Sequence, residues 1–296
     1  MFAFSGDAPQ AAGIFAHTAT LLGGRDPREM VRSAPAAVLH QNRIGQILCT
    51  AQPLAAMAAL GDAAPRRFMI AGYSVGEVAA WGVAGLLGPT ATLDLVARRA
   101  EAMDAASAPG DGLLFVRGLA REVVDDLCRS HDAAVAIVNP ADAYVLGGQG
   151  EALDALAADA KARGAVRVVR LAVNVASHTP RLAAAATAFR KMLEATSFAA
   201  PVPGVRLFSA IDGSAVLDIR SGLDKLAGQI SRTVQWASCL EGCIEAGARA
   251  FLELGPGRAL AEMAASAHPD IPARSMADFR TVQGAGAWLL RSTKAM

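Results

Sequence analysis

The segment Gly72-Tyr73-Ser74-Val75-Gly76 offers the clearest candidate nucleophile in this sequence. In the G-x-S-x-G pattern the serine sits at the apex of a tight strand-to-helix turn. Its hydroxyl is exposed there, and the N-terminus of the next helix can stabilise an oxyanion. Chance matches are common in a chain with 28 glycines, so the surroundings have to select it. They do: Phe68-Met69-Ile70-Ala71 reads as a short buried strand, and an Ala-rich helix follows to about Leu87. A serine needs a base, and histidine is the usual one. Of the five histidines, His17 and His40 lie in helix-like surroundings, His131 ends a helix and His268 stands beside Pro269. His178, in Ser177-His178-Thr179-Pro180, directly follows a strand, and α/β sheets hold functional groups in loops at the carboxyl ends of strands. On these residues alone, a surface-loop histidine remains the other reading.

The elements that must position these groups alternate between strand and helix, which predicts an α/β protein. Gly88-Pro89 stops the helix after the elbow, and Thr90 is placed to cap a helix over 91–106. A loop through Pro109-Gly110-Asp111-Gly112 follows, and the pattern then changes. Strands at 113–116, 134–138, 144–146 and 166–173 interleave with helices at 121–130 and 151–163. That order, β-α-β-β-α-β, is ferredoxin-like. Residues 112–174 are therefore expected to form a self-contained insert in a larger parallel-sheet domain made of 1–111 and 175–296. The larger domain resumes with a helix over 181–196, a strand at 205–210, a helix over 223–230 and a strand at 251–254.

Composition narrows the function classes. The chain has 296 residues, 53% hydrophobic and 19% charged, so it can bury a large core and carries no disorder signature. A net charge of +1 without a Lys/Arg run argues against nucleic acid as a partner. Cys49, Cys128, Cys239 and Cys243 are too scattered for a disulfide framework, and Cys239 and Cys243 lack ligand-spaced neighbours, so no metal is expected. No signal-like leader and no apolar run of membrane-spanning length is read, which makes the cytoplasm the expected location.

Three motifs now carry a resemblance along nearly the whole chain. Gly72-Tyr73-Ser74-Val75-Gly76-Glu77 resembles the G-H-S-L-G-E elbow of the malonyl-CoA:acyl-carrier-protein transacylases. Ser177-His178-Thr179-Pro180-Arg181-Leu182 resembles that family's S-H-x-P/A-L, and Glu253-Leu254-Gly255-Pro256-Gly257-Arg258-Ala259-Leu260 its E-[VI]-G-P-G-x-x-L. The family's fold, a hydrolase-like α/β domain with a ferredoxin-like insert, is the layout read above. The resemblance implies ping-pong transfer of a malonyl group from malonyl-CoA, through an ester on Ser74 with His178 as base, to the phosphopantetheine-type thiol of an acyl carrier protein. No other cofactor is implied.

The resemblance also implies an arginine 25 residues after the serine, and helical geometry picks Arg99 over Arg98. Arg98 is flanked by Asp94 and Glu101 in a solvent-face ion-pair pattern, while Arg99 shares a face with Leu95, Val96 and Met103. An inward arginine needs an anion, and a malonyl carboxylate would provide one. By resemblance, Gln46 and Asn139 are pocket residues, and the backbone carbonyl of Gln235, in Val234-Gln235-Trp236, orients His178. The oxyanion hole would use the N–H groups of Val75 and Asp7. Here the chain departs from the family, reading Phe4-Ser5-Gly6-Asp7 where the family has F-P-G-Q.

Other details are more similar to the malonate decarboxylase epsilon subunit. They are Tyr73 and Val75, Ala79-Ala80-Trp81-Gly82, Ser177-His178-Thr179-Pro180, and Gln229-Ile230-Ser231 leading into Thr233-Val234-Gln235-Trp236. They imply other decarboxylase subunits as possible partners. A malonyl transacylase of fatty acid or polyketide synthesis is the alternative, and a serine esterase a more distant one. A carrier-binding module without catalysis would have had no reason to keep both Ser74 and His178.

Overall fold

A computed structural model describes residue 2 and residues 4–294. In chain order these form α1 (Ala12–Leu21), α2 (Pro27–Ser33), α3 (Ala36–Leu39), α4 (Asn42–Leu60), β1 (Phe68–Ala71), α5 (Gly76–Val83) and α6 (Pro89–Ala106). Next come β2 (Asp111–Arg117), α7 (Arg121–Ser130), β3 (Ala134–Asn139), β4 (Ala143–Gln149), α8 (Gly150–Ala162) and β5 (Arg167–Arg170). The chain continues with α9 (Ala183–Glu194), β6 (Val205–Phe208), α10 (Ile219–Gly228), β7 (Val234–Gln235) and α11 (Trp236–Glu245). It closes with β8 (Phe251–Glu253), α12 (Ala259–Ala267), β9 (Ala273–Ser275) and α13 (Val282–Lys294).

The insert has the strand order β5-β2-β4-β3 of a ferredoxin-like sheet, with antiparallel ladders throughout. Side-chain alternation explains how it is covered. Leu114 and Val116 of β2, with Tyr144 and Leu146 of β4, face α7 and α8, where they meet Val124, Leu127, Leu153 and Leu156. Leu113 and Val145 point the other way, against Phe208, Val234, Trp236 and Cys239 of the larger domain. A bulge between Val135 and Ile137 lets both Ala136 and Ile137 join that second face.

The insert expected to be self-contained shares its sheet with the larger domain. β7, from the larger domain, pairs in parallel with β3 and adds a fifth strand, so one sheet runs across the boundary. In the larger domain the parallel pairs are β1 with β6 and β8 with β9. Its core is built mainly by helices, with Ile47 and Leu48 of α4, Trp81 of α5, Leu93 and Val96 of α6, and Phe189 of α9 fully or almost fully buried. The stretch Asn42–Ala63 is long and apolar enough to cross a membrane by length and composition, which the sequence reading did not anticipate; 67% of its apolar window is buried within the protein. At α6 the N-cap is Gly88 with Pro89 in the first turn, rather than Thr90. Proline suits that place because the first N–H groups of a helix have no partner to lose.

Candidate active site

The elbow forms because β1 runs straight into α5 through a tight turn that leaves no room for a side chain at its first residue, Gly72. A Cβ on Gly72 would lie 2.1 Å from the backbone of Gly76 and Glu77, whereas one on Gly76 would meet nothing within 4 Å. The cramped glycine is therefore the first of the two, and both need not be glycine for the same reason. Ser74 sits at the apex with φ of 53°, in the left-handed region that costs a non-glycine residue energy. His178 is in the same region, at 63°. Its backbone is pinned by a 2.8 Å hydrogen bond from its N–H to the Ile230 carbonyl.

The two side chains meet: Ser74 Oγ lies 2.8 Å from His178 Nε2. The other ring nitrogen, Nδ1, lies 2.6 Å from the backbone oxygen of Gln229. A carbonyl can only accept, so Nδ1 carries the proton and donates, leaving the Nε2 lone pair for the serine hydroxyl. Burial lowers the His178 pKa to about 4; the Gln229 carbonyl opposes this and the Arg99 charge adds to it. The imidazole is thus neutral at physiological pH, the form able to take a proton from Ser74.

The carbonyl expected to orient His178 was that of Gln235, and the structure assigns it to Gln229. Gln229 is the C-cap of α10, where helix carbonyls lack an intrahelical partner and are free to accept. Gln235 instead lies in β7, its N–H bonded to the Ala210 carbonyl. Sequence reasoning ran α10 on to residue 230 and so hid this helix end.

Arg99 is turned inward from α6 and is 1% exposed, while Arg98 is exposed. The ion pairs expected for Arg98 do not form: Asp94 is hydrogen-bonded to His17 at 2.7 Å and Glu101 pairs with Arg43 at 2.8 Å. Arg99 Nη1 donates to Gln46 Oε1 at 2.5 Å, and Nη2 donates to Gln229 Oε1 at 3.3 Å. Its Nε is buried with no hydrogen-bond partner among the described residues. Burial lowers the Arg99 pKa to about 10, opposed by the charge of Glu77. Gln46 is fixed in turn by donating from Nε2 to Asn42 Oδ1 at 2.7 Å.

Asn139 ends β3, buried, with its Oδ1 likewise unpartnered among the described residues. Burial pushes the Tyr73 hydroxyl up to about 12, with Asn139 opposing the shift, and the Tyr73 ring meets Trp236 edge to face at 5.3 Å. Val75 is the N-cap of α5. Asp7 ends a short 3-10 turn with its side chain exposed, and Arg28 donates to the preceding carbonyl of Gly6 at 2.9 Å. A cleft of about 440 Å³ reaches His178 between α7 and the 231–233 loop, with Arg121, Arg129 and Arg232 on its walls. The remaining histidines lie elsewhere: His17 is on Asp94, His131 on Asp159, and His40 and His268 cap helix ends.

The acyl transferase domain model matches residues 28–283. Over 209 residues the chain is 31% identical to the malonyl CoA-acyl carrier protein transacylase of Mycobacterium bovis, covering 70% of this chain and 68% of that protein. The chain belongs to the malonyl-CoA:acyl-carrier-protein transacylase family. Within the wider acyl transferases it is 32% identical over 263 residues, 86% of its length, to polyketide synthase GfsB of Streptomyces halstedii. It spans only 5% of that protein and so corresponds to one segment of it. A solved malonyl-transacylase in complex with its type II polyketide acyl-carrier protein superposes with a TM-score of 0.88 at 25% identity, covering 97% of this chain and 94% of that one. The hydrolase-like domain with a ferredoxin-like insert is thus the transacylase fold.

Proposed function

We propose that the protein transfers malonyl groups from malonyl-CoA to the thiol of an acyl carrier protein, by way of an ester on Ser74. The observation that carries this reading is the Gln229 junction. One residue holds the histidine bonded to Ser74 and also a buried guanidinium whose Nε has no partner among the described residues. A plain esterase has no use for such a cation; an acyl group ending in a carboxylate does.

In the first half-reaction Ser74 Oγ attacks the thioester carbonyl as its proton passes to His178 Nε2. The N–H groups of Val75 and Asp7 receive the oxyanion, and the proton leaves on the CoA sulfur. The exposed Asp7 carboxylate is compatible with this, since only its backbone is needed. The second half-reaction reverses the roles, with the carrier thiol as nucleophile. Arg99, set by Gln46 and Gln229, receives the malonyl carboxylate, and Asn139 lines the pocket. The cleft beside His178 carries Arg121, Arg129 and Arg232 against a single carboxylate, Asp125, which pairs with Arg121 at 2.9 Å, and this net positive lining suits a phosphate-bearing thioester.

The relatives above are named as transacylases and polyketide synthases, which favours a carrier-protein transacylase of fatty acid or polyketide synthesis over the malonate decarboxylase epsilon subunit. The two differ in the acceptor: a phosphopantetheine carrier or a phosphoribosyl-dephospho-CoA carrier. Incubation with malonyl-CoA followed by peptide mass spectrometry should find a malonyl adduct on Ser74, absent in Ser74→Ala. An adduct at another residue, or full turnover by Ser74→Ala, would refute the reading, and competing the two carriers tells the pathways apart.

A further inference from the structure

Glu77 follows the elbow and has no part in the chemistry proposed above, yet it is wholly buried beside it. Its Oε1 accepts from Ser209 Oγ at 2.7 Å. Its Oε2 accepts from the Ala210 N–H at 3.2 Å and from Gln229 Nε2 at 2.5 Å. Gln229 therefore makes three connections: its amide nitrogen to Glu77, its amide oxygen to Arg99, and its backbone oxygen to His178.

An amide has a donor end and an acceptor end of nearly the same shape, so packing alone does not orient it. Chemistry does. A carboxylate oxygen demands the NH₂ end, and that turns the carbonyl end toward the guanidinium, which can only donate. The reversed amide would set donor against donor at Arg99 and acceptor against acceptor at Glu77, in a buried place where unmade hydrogen bonds are expensive. Without Glu77 nothing decides between the two orientations except Arg99 itself.

We propose that Glu77 is a positioning residue for acyl-group selectivity: through the side-chain amide of Gln229 it fixes the Arg99 guanidinium in the orientation that receives the carboxylate of the acyl group. The proposal rests on the malonyl-transfer reading and deepens it. Because His178 hangs on the backbone of Gln229, the effect falls on the carboxylate-bearing substrate more than on the acyl transfer itself. What the amide requires is an acceptor at the Oε2 position, not a charge. A glutamine at position 77 can supply one, with its own NH₂ turned to Ser209 Oγ.

The test compares kcat/KM for malonyl-CoA and acetyl-CoA in the parent, Glu77→Gln, Glu77→Met, Gln229→Met, the Glu77→Met/Gln229→Met double variant and Arg99→Ala. Glu77→Gln should keep the malonyl preference within about threefold. Glu77→Met and Gln229→Met should each lower the malonyl-over-acetyl ratio by roughly 10- to 100-fold, the scale of one hydrogen bond to a charged group, chiefly through the malonyl KM. The double variant should lose no more than the worse single one, because both act on one orientation. Equal losses for the two thioesters, a Glu77→Gln variant as poor as Glu77→Met, or additive losses would each overturn the proposal. If Glu77→Met does not fold, Gln229→Met and Glu77→Gln still decide it. A parent without malonyl preference, or Arg99→Ala leaving the preference intact, would instead strike the underlying functional reading.

Discussion

If His178 is the base, its acid limb should fall far below that of an ordinary imidazole. Burial, reinforced by the Arg99 charge, lowers its pKa from 6.5 to about 4. At pH 5 a group of pKa about 4 is roughly nine-tenths neutral, whereas an ordinary imidazole would be almost wholly protonated and inactive as a base. The assay is rapid-quench formation of the acyl-Ser74 ester from malonyl-CoA between pH 4 and 8, because kcat/KM reports the free enzyme. The rate should hold to about pH 5 and then fall. Glu77 is a second group in range, pushed up to about 7 chiefly by burial. A limb near 7 that vanishes in Glu77→Gln belongs to that carboxyl. Stability should move with the same proton. Unfolded chains protonate this histidine below pH 6.5 and the native protein only below about 4, so stability is full above 6.5. It declines by about 1.4 kcal/mol per pH unit, roughly 3 kcal/mol in all, as pH falls through that window. Glu77 acts oppositely: the native state holds its proton up to about 7 and the unfolded state only to 4.5, so its burial costs stability above 7 and that cost fades toward 4.5. The two slopes offset each other in the parent, and Glu77→Gln should expose the His178 slope. An activity limb at 6.5 that persists in Glu77→Gln would refute the buried-neutral assignment.

Arg99→Ala should lose most malonyl transfer and gain relative activity on acetyl-CoA, with selectivity falling roughly 30- to 1,000-fold; Arg99→Lys should recover part of it and Arg98→Ala should change little. An equal effect at Arg98 in the same kcat/KM comparison would undo the facing argument. His178→Ala should slow both ester formation and transfer to the carrier thiol, measured separately in single-turnover experiments, since one base serves both directions. Gly72→Ala should destabilise the fold by more than about 3 kcal/mol in urea unfolding, because its methyl group would overlap backbone 2.1 Å away. Gly76→Ala, facing open space, should cost less than about 1 kcal/mol; the reverse ranking would mean the elbow is not built as described.

What could be read from the sequence follows from where physical constraint leaves a trace in side chains. β1 and α7 fall at the expected residues because each has a clear apolar pattern bounded by turn or charged residues. The 3.6-residue period separated Arg99 from Arg98 correctly, since burial is a property of one helix face. That same period could not name the partners of Asp94 and Glu101. They come from α1 and α4, far away in the chain, and outcompete the local pairs. β7 was invisible as a sheet strand because two residues carry no alternation to detect.

The hardest element to see was the hydrogen bond that orients His178, and the reason is general. A catalytic histidine can be held by a backbone oxygen, and any residue type offers one. The trace is then topological: a helix must end where the ring can reach its free carbonyls. α10 ends at Gly228, Gln229 caps it, and the carbonyls of Gln229 and Ile230 together hold the ring and the backbone of His178. At that point the identity of residue 229 would be free to vary if its backbone were all that mattered. Its side chain joins Glu77 to Arg99, so under the proposed mechanism a glutamine there serves two functions at once: its backbone oxygen holds the His178 ring, and its amide holds the Arg99 guanidinium. A Gln229→Met variant separates the two, and a collapse of malonyl selectivity larger than the loss of acetyl transfer is the signature of the second.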